Sequence, residues 1–190
     1  MEAVPEESVD SQLMERVNRG DMAAFEEIVR RHQSALVNFF RRSNASMEEA
    51  EECAQETFVR MYNYRSRYRA LPGRFAAFMY VVARHVWVDR CRRSQRLRRL
   101  TTQLAIDSAP PKRPASGLTQ AETRIDAQKA LDVLSDKLRE VVVLSVFQGL
   151  DYSQIAEVLG IPLGTVKSRI FLAFQQMRSV LSHDQQVRTD

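Results

Sequence analysis

The sequence has little of what small catalytic and metal sites need. Its 190 residues include two cysteines, Cys53 and Cys91, which form no CxxC pair, so a zinc site built from them is not expected. Both fall on apolar helical stripes, where we expect them to pack as small hydrophobes. The six glycines form neither a P-loop nor a dinucleotide fingerprint. None of the three histidines has a glutamate three residues before it, so the di-iron helical pattern is missing as well. We therefore expect no enzyme, no cofactor and no metal.

Long apolar runs are also missing. No stretch approaches the roughly 20 apolar residues that a membrane helix needs. The first ten residues, "MEAVPEESVD", are acidic and lack the apolar core of a signal peptide. We expect a cytoplasmic protein that is not itself a membrane protein.

Lysine is scarce, whereas arginine is abundant. Only four of the 28 basic residues are lysines, and the net charge is +4. Seven arginines lie between Arg84 and Arg99, against one acid, Asp89. A basic helix end suits the helix dipole, and codon bias alone favours arginine. However, seven like charges need a neutralising partner, and arginine binds phosphate in a bidentate manner. This stretch therefore favours a phosphate backbone as the partner.

Helical periodicity covers most of the chain, and strand alternation is almost missing. Ser46 and Glu49 form a capping box that opens a helix with an acidic face from Glu48 to Glu56. Asp151 and Gln154 form a second capping box. The pattern predicts an all-α fold.

One segment interrupts the periodicity and divides the chain. Residues 101–120, "TTQLAIDSAPPKRPASGLTQ", carry three prolines and a glycine without any period, which is typical of a flexible linker. We predict two small helical domains, 11–100 and 121–182. Residues 1–10 and 183–190 are predicted as flexible ends.

The second domain contains the pattern of a helix-turn-helix. In "YSQIAEVLGIPLGTVKSRIFLAF" a short helix ends at Gly160 and a second helix follows after a tight turn. Val166 and Ile170 would anchor the second helix. Its first turns carry Thr165, Lys167, Ser168 and Arg169, which suit the major groove of DNA. The alternative is a capped helical hairpin with a solvated polar face.

Two further features indicate partners. Tyr64 and Tyr68 lie in a predicted loop, "YRSRYRALPGR", where their rings could stack on unpaired bases. The acidic face from Glu48 to Glu56 cannot favour DNA. It is either a solvated face or a surface that docks on another protein.

Taken in order, these segments resemble the extracytoplasmic-function sigma factors of bacterial RNA polymerase. "EEAEECAQETFVRMY" is similar to the polymerase-binding helix of that family. "FAAFMYVVARHVWVDRCRR" resembles the helix that handles the minus-ten promoter element. The segment from "ALDVLSDKL" to "RIFLAF" resembles the domain that recognises the minus-thirty-five element. The likeness extends from about Ser11 to Leu181.

The resemblance implies two roles for the first domain. One set of residues would bind the core polymerase: Glu52, Gln55, Glu56 and Phe58. A second set would hold minus-ten DNA, including its melted strand: Tyr64, Tyr68, Arg74, Arg84, His85, Asp89, Arg92 and Arg93.

For the second domain, the resemblance implies a set of minus-thirty-five contacts: Thr165, Lys167, Ser168, Arg169 and Phe171. The implied partners are core RNA polymerase and promoter DNA. An anti-sigma factor is a further one, because this family is commonly held inactive by such a protein. Three positions depart from the family pattern: His85, where asparagine is frequent; Leu172, where a basic residue is common; and Ser135, where proline is frequent.

One rival function remains at the level of sequence. A free-standing helix-turn-helix regulator would bind duplex DNA alone, usually as a dimer on spaced half-sites. The acidic face and the aromatic loop favour the sigma factor, since a plain regulator requires neither.

Overall fold

The computed structural model describes residues 6–69, 74–104, 128 and 130–187. Within those ranges the chain is helical and contains no strand, as the periodicity predicts. The first domain comprises four α-helices and one 3₁₀ turn: α1 (Glu6–Asn18), α2 (Met22–Arg42), α3 (Met47–Asn63), the turn Arg65–Arg67, and α4 (Arg74–Leu104). The second comprises α5 (Asp136–Val142), a π-helical segment (Val143–Phe147), α6 (Tyr152–Leu159) and α7 (Leu163–Val187). No described helix is long and apolar enough to cross a membrane.

Side-chain caps fix where several helices begin. The backbone N–H of Glu49 donates to the Ser46 hydroxyl, and the Glu49 carboxylate accepts from the Ser46 N–H, so the predicted capping box of α3 is confirmed. The same reciprocal pair joins Asp151 and Gln154 at the start of α6. Ser135 occupies the N-cap position of α5 but makes no side-chain cap hydrogen bond there, so the expected capping by its hydroxyl is not present.

The helices extend further than the predicted domain limits. α1 begins at Glu6, inside the segment predicted as a flexible end, because its residues pack on the domain and Asp10 is buried. α4 continues to Leu104 and α7 to Val187, since neither stretch contains a proline or glycine that would stop it. The rest of the predicted linker, 105–120, lies outside the described residues, as do 1–5 and 188–190.

Aromatic and aliphatic side chains of α1 to α4 form the core of the first domain. Phe39, Phe40 and Phe75 are fully buried there. Cys53 is also buried, which confirms its predicted packing role, and burial raises the pKa of its thiol to about 11. Cys91 is only half-buried.

The second domain encloses its own apolar core and one buried cation. Ile155, Val166 and Ile170 pack against the buried residues of α5 and the π-helical segment. Arg139 is buried and donates to the carbonyl oxygens of Leu131, at 3.0 Å, and Leu134, at 3.4 Å. These bonds compensate the loss of water around the guanidinium.

The two domains contact each other along α4. Side chains of the first domain meet residues of α5, the π-helical segment and α6 in four contacts: Arg84 with Glu140 at 2.6 Å, Tyr80 with Gln148, Arg42 over the ring of Phe147 at 4.0 Å, and Arg74 with Glu157 at 3.5 Å. Burial raises the pKa of the Tyr80 hydroxyl, which keeps it a neutral donor.

Candidate nucleic-acid interface

An open groove of about 430 Å³ runs along one face of α4. His85, Asp89 and Arg92 lie three or four residues apart and therefore share one face of the helix. The polar residues that line the groove are Arg60, Tyr64, Arg84, His85, Asp89 and Arg92. The structure thus brings together five of the eight residues predicted to contact minus-ten DNA.

Arg60 links this groove to the neighbouring acidic face. Its guanidinium donates to Asp89 at 2.8 Å and to Glu56 at 2.8 Å. The hydrogen bond from Arg60 lowers the pKa of the Asp89 carboxyl, and the bond to Asp89 raises the pKa of Arg60. Sequence analysis missed Arg60, although its position four residues after Glu56 on a predicted helix was a usable signal.

The remaining three predicted minus-ten residues lie outside the groove. The Tyr68 ring is buried against Phe78, with 5.2 Å between ring centroids, and against Phe75. In this conformation Tyr68 is part of the core and is not available to stack on a base. Arg74 is exposed and faces Glu157 of the second domain. Arg93 lines an adjacent hollow of about 270 Å³ together with Glu52 and Glu56.

The acidic face of α3 is solvent-exposed, as a docking surface requires. Glu52, Gln55 and Glu56 are exposed, and Arg90 of α4 donates to Glu52 at 2.6 Å. Phe58 is buried, however, and its ring meets the ring of Phe25 edge-on. Sequence analysis placed Phe58 on the surface because it is adjacent to the acidic residues in sequence.

Val59 is the exposed apolar residue on this face of α3. Its side chain is 54% exposed, and it follows Glu52 and Gln55 by seven and four residues, which places all three on one side of the helix. That spacing was visible in the sequence, but an isolated valine gives no sign of exposure. The acidic face, as used below, comprises Glu52, Gln55, Glu56 and Val59.

The helix-turn-helix has the predicted turn. Gly160 adopts φ 63 and ψ 38, a left-handed conformation that glycine adopts without strain. The N–H of Ile161 then donates to the carbonyl oxygen of Ala156 at 3.1 Å. Val166 and Ile170 are buried, which orients the opposite side of α7 toward solvent.

The start of α7 presents a mixed polar and aromatic surface. Lys167 and Ser168 are exposed, and the Ser168 hydroxyl donates to the carbonyl oxygen of Thr165 at 3.1 Å. Thr165 and Arg169 are half-buried. Phe171 is 70% exposed. These five residues lie on two turns of one helix, as predicted.

Among the described residues, no group of three or more His, Cys, Asp or Glu side chains is placed to hold a metal ion. The surfaces above therefore consist of hydrogen-bonding, charged and aromatic groups.

Two family models match the two domains. The model of sigma-70 region 2 matches residues 28–97, and the model of sigma-70 region 4 matches residues 124–177. Together they cover the groove, the acidic face and the helix-turn-helix. α1 lies before the first match.

Curated relatives carry the same assignment. The chain is 32% identical over 152 residues to the ECF RNA polymerase sigma factor SigL of Mycobacterium tuberculosis, covering 79% of this chain and 84% of the relative. It is 33% identical over 168 residues to the ECF RNA polymerase sigma factor SigE of Mycolicibacterium smegmatis. That match covers 86% of this chain and 65% of the relative.

A solved structure has the same fold. The sigma factor RpoE of Bartonella quintana, crystallised with the anti-sigma factor NepR, matches with a TM-score of 0.67 at 22% identity. The match covers 83% of this chain and 96% of that one. Since family models, relatives and fold agree, the chain belongs to the extracytoplasmic-function sigma factors, which direct RNA polymerase to promoters when transcription is initiated.

Proposed function

We propose a division of this activity among three surfaces of the chain. The acidic face of α3 docks on core RNA polymerase. The groove of α4 holds the minus-ten element, and the start of α7 binds the minus-thirty-five element. The observation that carries the proposal is the groove, in which arginines, a histidine and a tyrosine from two helices converge beside the acidic face.

The chemistry of the groove suits a melted strand. Arg84 and Arg92 supply positive charge for phosphate oxygens. Tyr64 is 39% exposed and lies under the guanidinium of Arg67, at 5.1 Å. A base that leaves the duplex can stack on such a ring, which contributes about 1–3 kcal/mol.

The start of α7 suits the major groove of duplex DNA. Lys167 is exposed and can reach phosphates or bases, while Val166 and Ile170 keep the helix fixed to the domain. The N-terminal residues of a recognition helix lie nearest the base edges. Catalysis belongs to the polymerase in this scheme, and this chain supplies promoter recognition.

An anti-sigma factor is a further proposed partner, with the cytoplasm as the proposed location. The Bartonella quintana relative is seen in complex with one. A partner that covers the acidic face would prevent polymerase docking without any change in the DNA-binding surfaces.

The test is co-elution of the purified chain with bacterial core RNA polymerase on a sizing column, followed by promoter-dependent transcription in vitro. The wild type is expected to co-elute and to give new start sites. The variant E52A/Q55A should bind core at least about tenfold more weakly, because truncation of a central interface contact costs about 1–2 kcal/mol.

The matched control is E51A, which removes an exposed acid from the same helix but points to another side. Unchanged core affinity of E52A/Q55A would overturn the docking role. A chain that never co-elutes but binds duplex DNA specifically would be a free-standing regulator.

A further inference from the structure

α1 is held on the first domain by a buried carboxylate. Asp10 is only 4% exposed. Its two oxygens accept from Arg31 at 2.8 Å and from His32 at 2.9 Å, both on α2. A buried carboxylate needs such partners to offset its lost hydration. The arrangement fixes both the depth and the rotation of α1 against α2.

The next residue of α1 contacts the chain on the far side of α3. The hydroxyl of Tyr68 donates to the hydroxyl of Ser11 at 2.9 Å, and both residues are 8% exposed. His32 continues the contact, because its ring lies 5.0 Å from the ring of Phe75. Phe75 in turn meets Tyr68 edge-on. α1 therefore holds Tyr68 against the beginning of α4.

Tyr68 stands only four residues after the groove residue Tyr64. The two are joined by the short 3₁₀ turn Arg65–Arg67. The N–H of Tyr64 donates to the carbonyl of Arg60 at 2.8 Å, and the N–H of Arg67 donates to the carbonyl of Tyr64 at 2.8 Å. One end of this turn is thus attached to α3 and the other, through Tyr68, to Ser11.

We infer that Ser11 and Tyr68 are positioning residues for minus-ten DNA. Their hydrogen bond fixes the 3₁₀ turn, and the turn fixes the ring of Tyr64 at the edge of the groove. The inference rests on the proposed function of that groove. It assigns a role to α1, which lies outside the segment shared with the region 2 family model.

The test uses three variants of the full chain in reconstituted holoenzyme: S11A, Y68F and the double variant. Each removes the hydrogen bond and leaves the apolar packing. The control is S43A, which removes a half-buried hydroxyl of the same domain that donates to its own helix at the carbonyl of Phe39. The probe is a DNA with a preformed bubble, taken from the strongest start site of the wild-type holoenzyme.

We expect S11A and Y68F each to lower affinity for the bubble DNA by about fivefold, which corresponds to a net hydrogen bond of about 1 kcal/mol. The double variant should lose no more than either single variant, since both remove the same bond. Core affinity and the effect of S43A should match the wild type.

Wild-type bubble affinity in all three variants would overturn the positioning role. Equal losses of core affinity and bubble affinity would overturn it too, because they would show general destabilisation. A wild-type chain that does not bind core at all would instead remove the proposed function on which the inference rests.

Discussion

Individual polar residues in the interior of this protein are consistently partnered. Asp10 and Arg139 are both buried, yet each has hydrogen-bond partners at normal distances. Among the described residues, no buried side-chain nitrogen or oxygen lacks a hydrogen bond. Because burial without a partner is costly, loss of either residue should be felt in stability.

Asp10 should make the stability of the first domain depend on acid pH. Burial by itself raises the pKa of this carboxyl, but the hydrogen bonds and charges of His32 and Arg31 outweigh it and lower the pKa below 3.8. The folded pKa is therefore depressed. Its stabilisation is present above pH 3.8, the unfolded value, and is lost as the pH falls through the folded value.

D10N should accordingly reduce the free energy of unfolding by roughly 1–3 kcal/mol near neutral pH. The difference from the wild type should shrink as the pH falls below 3.8. Urea unfolding followed by the fluorescence of the single tryptophan, Trp87, reports on this domain. A difference that is constant over the whole pH range would contradict the assignment.

Two aromatic residues show where residue-level prediction stops. Phe58 and Tyr68 were predicted as surface contacts because they are adjacent in sequence to polar, functional-looking neighbours. Both side chains are buried. Helical spacing alone already separates Phe58 from the acidic face, whereas the burial of Tyr68 depends on Ser11, 57 residues away.

At the scale of the elements, the ends of the helices follow local rules. Ser46 and Asp151 cap α3 and α6 with bonds that the sequence pattern specifies. Gly160 ends α6 with a left-handed residue. These features depend only on neighbours within a few residues, which is why they could be predicted.

G160A should lower the stability of the second domain by about 1–2 kcal/mol, because alanine is strained at positive φ. Nothing lies within 4 Å of an added methyl group at this site, so the loss comes from the backbone alone. Thermal unfolding by circular dichroism measures it.

The matched variant is G164A, on α7. That glycine lacks a positive φ and also has nothing within 4 Å of an added methyl group. G164A should be neutral or stabilise by up to about 1 kcal/mol. Equal destabilisation by both substitutions would show that the left-handed conformation of Gly160 is not the cause.

At the scale of the whole molecule, acidic residues of the second domain neutralise arginines of the first. Arg84 and Arg74, both predicted DNA contacts, face Glu140 and Glu157. DNA phosphates would compete for the same guanidinium groups. The domain arrangement and DNA binding should therefore be linked.

E140K should loosen the contact between the domains. It replaces the partner of Arg84 with a like charge, and a partly exposed pair contributes up to about 1 kcal/mol. We expect a larger radius of gyration in small-angle scattering at low salt. The charge-swapped variant R84E/E140R should restore compactness.

The control for this experiment is E27K, which changes the net charge equally but lies in an ion pair within the first domain. Compactness of E140K equal to that of E27K would mean that the ion pair does not hold the domains together.

The sequence by itself determined the helical class, the caps, the helix-turn-helix and the five polar and aromatic residues on the start of α7. Each of these depends on spacing within one or two helical turns, where backbone geometry fixes which side chains are neighbours. The family resemblance also follows from the sequence.

Only the tertiary structure decided which of those residues meet. The groove joins Arg60 and Tyr64 from the end of α3 to His85 and Arg92 of α4. Tyr68 is buried because α1 lies against it. Such contacts depend on how helices pack across the domain, and packing is set by the fit of many side chains that are distant in sequence.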